Sequence, residues 1–142
     1  MVLGNVSMIR PFGLLGSLLL MSCANAHVSL NDDSGQCVFD KDTQHIALQL
    51  KTPCSLVKVN DDGRYFYQYN NVKVYIVAGA PAALDELKRW QVKAIDKCSL
   101  QSQAVFITDG KMTASTVRDK GLTCPTIGLD EKVYRHFLNN KQ

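Results

Sequence analysis

Alternating apolar and polar residues are the strongest pattern in the middle of the chain, over residues 54–78. Residues 64–69 alternate strictly, and two turn sequences flank them, Asp-Asp-Gly at 61–63 and Asn-Asn at 70–71. These turns predict a three-stranded antiparallel meander. Applied independently, both turns place the same six apolar side chains on one sheet face, namely Val57, Val59, Tyr65, Tyr67, Val74 and Ile76.

A second β-hairpin is predicted further along the chain. Asp109-Gly110 is a dipeptide that strongly favours a two-residue turn between antiparallel strands. A weaker strand is indicated over residues 45–50, where apolar side chains again alternate with other residues. The register that the hairpin turn predicts places Ile107 opposite Met112 and Val105 opposite Ala114.

Helical periodicity occurs in two segments. Pro81 suits the first turn of a helix, and the apolar residues after it recur at helical spacing, which predicts a longer helix in the middle of the chain. A shorter helix is predicted to begin near Asp130, close to the C-terminus. The expected buried stripes are Ala83, Leu87, Trp90 and Ala94 in the first helix, and Val133, Tyr134, Phe137 and Leu138 in the second.

Together these elements predict an α+β fold. We expect an antiparallel β-sheet of about five to six strands, a meander plus a hairpin, packed with one longer middle helix and a short C-terminal helix and stapled by disulfides. Two helices are too few to cover both faces of such a sheet, so one face is expected to remain partly exposed. Residues 27–142 are expected to form this single domain.

The first 26 residues have the pattern of an export signal. Residues 12–21 are an apolar run too short for a bilayer span, which takes about 20 residues, but suited to a signal segment. Two processing routes remain open: the Ala-Asn-Ala at 24–26 favours release at His27, whereas the four residues ending at Cys23 resemble a lipobox, with residues 24–36 as a tether. Both routes predict the periplasm of a Gram-negative cell, with the protein either soluble or tethered to the outer membrane by a lipid on Cys23.

Four cysteines follow the export signal, and an oxidising compartment favours their pairing into two disulfides. The chain has no Cys-x-x-Cys motif, and the successive spacings of 17, 44 and 26 residues fit no zinc pattern. Cys98 and Cys124 lie 11 residues before and 14 residues after the predicted 109–110 turn, so the hairpin brings them together. The expected pairs are therefore Cys98–Cys124 and, by elimination, Cys37–Cys54.

The charge of the chain argues against two classes of partner. Without Arg10, the residues from His27 onward carry fifteen Lys and Arg against thirteen Asp and Glu, with no run of like charge. Nucleic acids and anionic membranes call for clustered basic residues, so neither is expected as the principal partner. No later segment is apolar over enough residues to be expected to span a membrane.

Three histidines and two glutamates are the residues best able to supply catalysis or metal binding. His27, if N-terminal, could chelate copper, but it would need a second imidazole. His45 is expected at an exposed strand start, and His136 on a helix surface. No serine occupies a Gly-x-Ser-x-Gly elbow, and Glu86 and Glu131 lie in predicted first helical turns. We therefore expect no catalytic residue, no metal site and no cofactor.

One aromatic pair suggests a contact surface. On the sheet face opposite the apolar set, Phe66 lies across from Tyr75 and is framed by the polar residues Lys58, Gln68 and Lys73. Aromatic anchors within a polar frame are typical of protein interfaces. The alternative is that the middle helix covers the pair.

These observations favour a protein that acts by binding. The expected function is that of an exported binding or inhibitor protein that docks onto another envelope protein, for example to neutralise a toxin or enzyme acting on the envelope. Small disulfide-stapled domains without catalytic residues often act in this way. One alternative is an accessory lipoprotein of a secretion, conjugation or pilus system, which lipidation at Cys23 would favour. Another is a small enzyme whose site is not visible in the sequence.

Overall fold

The computed structural model describes residues 27–141. The predicted export signal, its two processing routes and the lipidation site Cys23 lie outside the described residues. The strands are, in chain order, β1 (Val28–Asn31), β2 (Val38–Lys41), β3 (Gln44–Ala47), β4 (Ser55–Leu56), β5 (Phe66–Tyr69), β6 (Val72–Ala78), β7 (Ser99–Thr108), β8 (Lys111–Ala114) and β9 (Arg118–Thr123). One α-helix, α1 (Glu131–Asn139), and two 3-10 turns, Lys88–Trp90 and Ala94–Asp96, complete the regular structure of this part.

A six-stranded antiparallel sheet forms the middle of the fold, which is α+β as expected. Its two long strands, β6 and β7, pair along their length and are nearly continuously buried, because other elements pack on both of their faces. The short strands β4 and β5 follow one another along the outer edge of β6. In the same way β8 and β9 follow one another along the outer edge of β7.

Two of the three predicted turns set the expected strand register. The Asp109-Gly110 turn joins β7 to β8 and places Ile107 opposite Met112. The turn at residues 70–71 joins β5 to β6 with Tyr67 opposite Val74.

The prediction of a hairpin around the 61–63 turn, the first hairpin of the meander, was wrong. The backbone N–H of Val57 donates to the carbonyl of Ile76 at 2.9 Å, so the chain before the 61–63 turn pairs with β6 and not with β5. The turn itself is closed by a hydrogen bond from the Val59 amide to the Arg64 carbonyl.

A separate three-stranded sheet, ordered β1-β2-β3, covers one face of the large sheet. Its central side chain, Phe39, is fully buried and packs edge-on against Tyr75 of β6, with ring centroids 5.2 Å apart. Ile46, from the weaker predicted strand, packs against the same core. The expectation of a partly exposed sheet face was therefore wrong, because strands and not a helix cover this face. Of residues 24–36, which the lipidation route predicts to be a tether, Val28–Asn31 form β1.

Helix α1 covers the opposite face, as its apolar stripe predicts. Asp130 caps the helix by accepting a hydrogen bond from the Lys132 amide at 2.8 Å. Tyr134 is fully buried and Phe137 is 6 % exposed, and both pack against apolar side chains of β6 and β7. The predicted C-terminal helix is confirmed.

The predicted middle helix was wrong: residues 81–97 form an irregular loop with two 3-10 turns. The Ala82 amide donates to the Cys98 carbonyl at 2.9 Å, so the two ends of the segment lie side by side. A straight helix of this length would separate its ends by about 24 Å. Gln91 and Lys97 adopt left-handed conformations that end the two turns. Tertiary closure therefore overrides the helical periodicity.

Two disulfide bonds, in the pairing expected from the spacing, hold the layers and the loop. Cys37–Cys54 links the start of β2 to the start of β4, and so fastens the small sheet to the large one. Cys98–Cys124 closes the base of the 81–97 loop and packs with Leu87 in a small third core. Disulfides of this kind are typical of proteins in oxidising, extracytoplasmic compartments.

Candidate functional site

A groove of about 340 Å³ lies beside strand β5, where the small sheet meets the edge of the large sheet. Its walls are mainly apolar, with three aromatic rings and a cation at the rim. We call it the aromatic groove; it is lined by His27, Val28, Gly63, Arg64, Tyr65, Phe66 and Tyr75.

The aromatic pair predicted from the sequence lies in this groove. Phe66 and Tyr75 pair across β5 and β6, and their ring centroids are 5.3 Å apart. Phe66 is half-buried, but Tyr75 is only 4 % exposed because Phe39 of the small sheet lies over it. Tyr75 therefore forms the floor of the groove. The prediction that it is a surface contact residue was wrong. The alternative, that the middle helix covers the pair, was also wrong, since β2 provides the cover.

The polar frame predicted around the pair is only partly assembled. The ammonium of Lys73 lies 4.9 Å from the centre of the Phe66 ring, a cation–π contact. Gln68 uses its side-chain amide to donate to the carbonyl of Asn70 at 3.1 Å. Lys58 pairs with Asp61 at 3.0 Å in the turn region and does not line the groove. Of the three predicted frame residues, Lys73 is therefore the one with a defined contact to the pair.

Tyr65 is the functional candidate that the sequence placed wrongly. The predicted meander assigned it to the sheet face now covered by α1, opposite Ile76. Because Val57 occupies the hydrogen-bonding position beside Ile76, Tyr65 is released from the ladder and is 36 % exposed at the groove. Its neighbour Arg64 reaches the groove in the same turn. No local sequence signal reveals this competing pairing, since the 61–63 turn itself forms.

The charges that line the aromatic groove favour binding of a negatively charged group. No carboxylate is among its lining residues, whereas Arg64 contributes a permanent positive charge. Burial raises the pKa of the Tyr75 hydroxyl above its ordinary value, so this group stays neutral and able to donate a hydrogen bond. The groove thus combines aromatic surface with one cation.

The outer edge of β5 is open. Among the described strands, β5 pairs only with β6. Hydrogen-bonded pairs alternate along an antiparallel ladder closed by a two-residue turn, so the backbone groups of Phe66 and Gln68 are directed away from β6. Such an edge can accept an extended segment from another chain.

The histidines do not assemble a catalytic or metal site in the part of the chain that the structure describes. His45 is exposed, and its Nδ1 lies 2.6 Å from the Asp40 carboxylate across the β2–β3 pair. His136 is exposed on α1, and His27 lies at the rim of the aromatic groove. Within residues 27–141, no group of three or more His, Cys, Asp or Glu side chains is placed to hold a metal ion.

Two further findings concern membrane-spanning helices in the described residues and similarity to known proteins. No helix among residues 27–141 is long and apolar enough to cross a membrane. Comparison with protein-family models, curated proteins and solved structures finds no match to this chain.

Proposed function

We propose that this protein is an exported binding protein of the inhibitor type, which acts by docking onto another protein of the periplasm or cell envelope. A toxin or enzyme that attacks the envelope is the kind of target such a protein would neutralise. The single observation that carries the proposal is the aromatic groove beside the open edge of β5. The accessory-lipoprotein alternative depends on Cys23, which lies outside the described residues.

The groove and the edge together support one mode of docking. A partner segment in extended conformation adds to β5 and hydrogen-bonds to the outward backbone groups of Phe66 and Gln68. One of its apolar side chains enters between Tyr65 and Phe66, and an acidic side chain beside it meets Arg64. Backbone pairing supplies affinity in this mode, whereas the aromatic pocket and the cation supply specificity.

The two disulfides support the same proposal because they make the site rigid. Cys37–Cys54 fastens the small sheet, whose Val28 lines one wall, to the large sheet, which contributes Phe66 and Tyr75. A groove that keeps its shape in the free protein spends less free energy on ordering when the partner binds.

The test is affinity capture from an envelope extract, followed by measured binding of the purified partner to variants. Tyr65→Ala is the most informative substitution, because Tyr65 lines the groove and its truncation should cost less folding free energy than truncation of the buried Tyr75. We expect it to weaken binding by about 2 kcal/mol or more. Tyr75→Ala is unsuitable, since the loss of this buried ring would destabilise the fold.

Strand addition has its own test at Gln68. Gln68→Pro removes an N–H that points to the open edge, so the β5–β6 ladder should persist while pairing with a partner strand is blocked. The matched control is Gln68→Ala, which keeps the N–H. Equal binding by both variants would show that the partner does not add a strand to β5.

The exposed loop provides the competing surface. Leu84 and Ile95 lie on the 81–97 loop and are 50 % and 77 % exposed. Neither residue lines the aromatic groove. We expect Leu84→Ala and Ile95→Ala to bind like the unmodified protein. If these two variants lose binding and Tyr65→Ala keeps it, the loop is the docking surface and the groove assignment is wrong.

A further inference from the structure

A second groove lies on the other side of the molecule, between α1 and strand β9. Two cavities of about 180 and 240 Å³ share Arg118 and His136 as walls. Both polar and apolar residues line them. We call this the basic groove; its lining includes Arg118, Lys132, Val133, His136, Phe137 and Asn140.

The guanidinium of Arg118 is the unusual group here. Its Nη1 is buried and has no hydrogen-bond partner within residues 27–141, which is costly for a charged donor. The guanidinium folds over Gly121, where an added Cβ would collide with it. Absence of a side chain at position 121 thus gives Arg118 the space to take this position against the groove.

The acidic residues nearest in sequence to the groove residues are engaged elsewhere. Asp119 accepts a hydrogen bond from the side chain of Gln101 at 2.9 Å, and Asp130 caps α1. Glu131 accepts hydrogen bonds from Arg135 at 2.9 Å and from the Tyr69 hydroxyl at 3.1 Å. Neither Arg118 nor Lys132 forms an ion pair within residues 27–141.

We propose that the basic groove binds a small organic anion, with its oxyanion on Arg118 and Lys132 and its apolar part against Val133 and Phe137. A guanidinium presents paired N–H donors that match the two oxygens of a carboxylate or a phosphate. The larger cavity, lined by Arg118, Lys132 and Val133, has the volume of about eight water molecules, and Phe137 lines the smaller cavity that adjoins it. This site is separate from the aromatic groove and does not depend on the proposed docking function.

The experiment titrates the purified, oxidised protein with four probes and follows backbone amide shifts by NMR. Inorganic phosphate and acetate test the oxyanion alone, whereas phenyl phosphate and benzoate add an apolar ring. We expect saturable shifts at Arg118, Lys132 and Phe137, with each ring compound binding more tightly than the corresponding simple anion. The phosphate and carboxylate pairs show which oxyanion the site prefers.

Three variants test the assignment. Arg118→Gln removes the guanidinium, and Lys132→Gln removes an exposed charge that the fold does not need; each should weaken phenyl phosphate binding, Arg118→Gln about tenfold or more. Gly121→Ala keeps all charges but displaces the guanidinium, so it should weaken binding as well. Its backbone is outside the left-handed region, so alanine is compatible with the conformation.

Arg135→Gln is the matched control, because Arg135 lies on the same helix but lines neither cavity. This control should bind phenyl phosphate like the unmodified protein. Equal weakening by Arg135→Gln and Arg118→Gln would show general charge attraction without a site. Shifts that fail to saturate, or that centre outside the groove, would also overturn the proposal.

Discussion

The two faces of the large sheet are covered by different means, and each cover supplies one wall of a groove. On one face, a sheet of three four-residue strands is fastened covalently by Cys37–Cys54 and forms part of the aromatic groove. On the other face, a nine-residue helix is held by an N-cap and apolar packing, and forms part of the basic groove. Short strands have little core of their own, so the first cover needs a covalent link more than the second.

Because the two covers are held differently, each groove should be disrupted by a different change. A change that loosens the helix should damage the basic groove and spare the aromatic one, and loss of the Cys37–Cys54 link should do the reverse. The shared part is the β6–β7 pair, whose residues face both covers in alternation.

The largest effect is expected from Phe137→Ala. Phe137 is 6 % exposed and anchors α1 to the large sheet, so its truncation should cost about 3–5 kcal/mol of folding free energy. Phenyl phosphate shifts should disappear, while the amide signals of the aromatic groove stay in place. Urea unfolding and NMR measure the two effects. Asn139→Ala, exposed on the same helix, is the control and should change stability by less than about 0.5 kcal/mol.

The next largest effect is expected from opening the Cys37–Cys54 disulfide. The double substitution to serine should cost about 3 kcal/mol, the value for a closed loop of this size. Hydrogen exchange at the amide of Phe39 should accelerate more than exchange at the amide of Phe106, because β2 loses its link while β7 keeps its neighbours. Equal acceleration at both sites would show that the small sheet is not an independently released layer.

The hairpin around Asp109-Gly110 shows what local sequence could predict. Its turn chemistry determines the register through neighbours only a few residues apart, so no distant contact was needed. The C-terminal helix was predictable for the same reason, since Asp130 and the stripe through Phe137 are local signals. The Cys98–Cys124 pair was predictable because the chain returns along β7 after the 109–110 turn, and β9 brings Cys124 back to the start of β7.

The misplaced elements depend on distant partners. Residues 81–97 have helical periodicity, but closure at Ala82 and Cys98 forces a loop. The small sheet was missed because β1 and β2 are only four residues each, too short for the alternation in Val28–Asn31 to stand out from the sequence around it. Val57 displaces Tyr65 from β6 through a pairing that no turn signal reveals.

The same dependence on distant contacts decides which groove residues could be found from the sequence. Phe66 and Tyr75 could be found from the sequence because one turn sets their register. The basic groove could not, since Arg118 and His136 belong to different elements and meet only through the packing of α1. The buried, unpartnered guanidinium nitrogen is visible only in three dimensions.

A smaller effect of opposite sign is expected from Tyr134→Phe. The Tyr134 hydroxyl is buried beneath α1 and has no hydrogen-bond partner within residues 27–141. Removing it should stabilise the helix-covered face by about 1 kcal/mol, because an unsatisfied buried hydroxyl is lost without creating a cavity. Tyr67→Phe, on a half-buried ring that packs against Tyr134 with centroids 4.8 Å apart, is the control and should bring no such gain. A loss of stability in Tyr134→Phe would show that the hydroxyl has a partner after all.

At alkaline pH, we expect the helix that covers one sheet face to lose its structure before the small sheet that covers the other. Burial and a hydrogen bond to Glu131 raise the pKa of Tyr69 from 10.0 to about 12, and burial raises the pKa of Tyr134 as well. Both residues pack at the helix-covered face, whereas Tyr75 is the one tyrosine of raised pKa on the other side. Below pH 10 these tyrosines are neutral in both folded and unfolded chains. Their stabilising effect is therefore complete there.

Between pH 10 and about pH 12 the unfolded chain loses tyrosine protons that the folded chain keeps, so stability should fall as pH rises. Amides of α1 should lose protection at lower pH than amides of β2, and the melting temperature should decline more steeply in the unmodified protein than in Tyr69→Phe. Tyr65→Phe provides the control, since Tyr65 lines the aromatic groove and lies outside the helix-covered face. Simultaneous loss of both layers with the same slope in Tyr69→Phe would show that the helix-covered face is not the alkali-sensitive one.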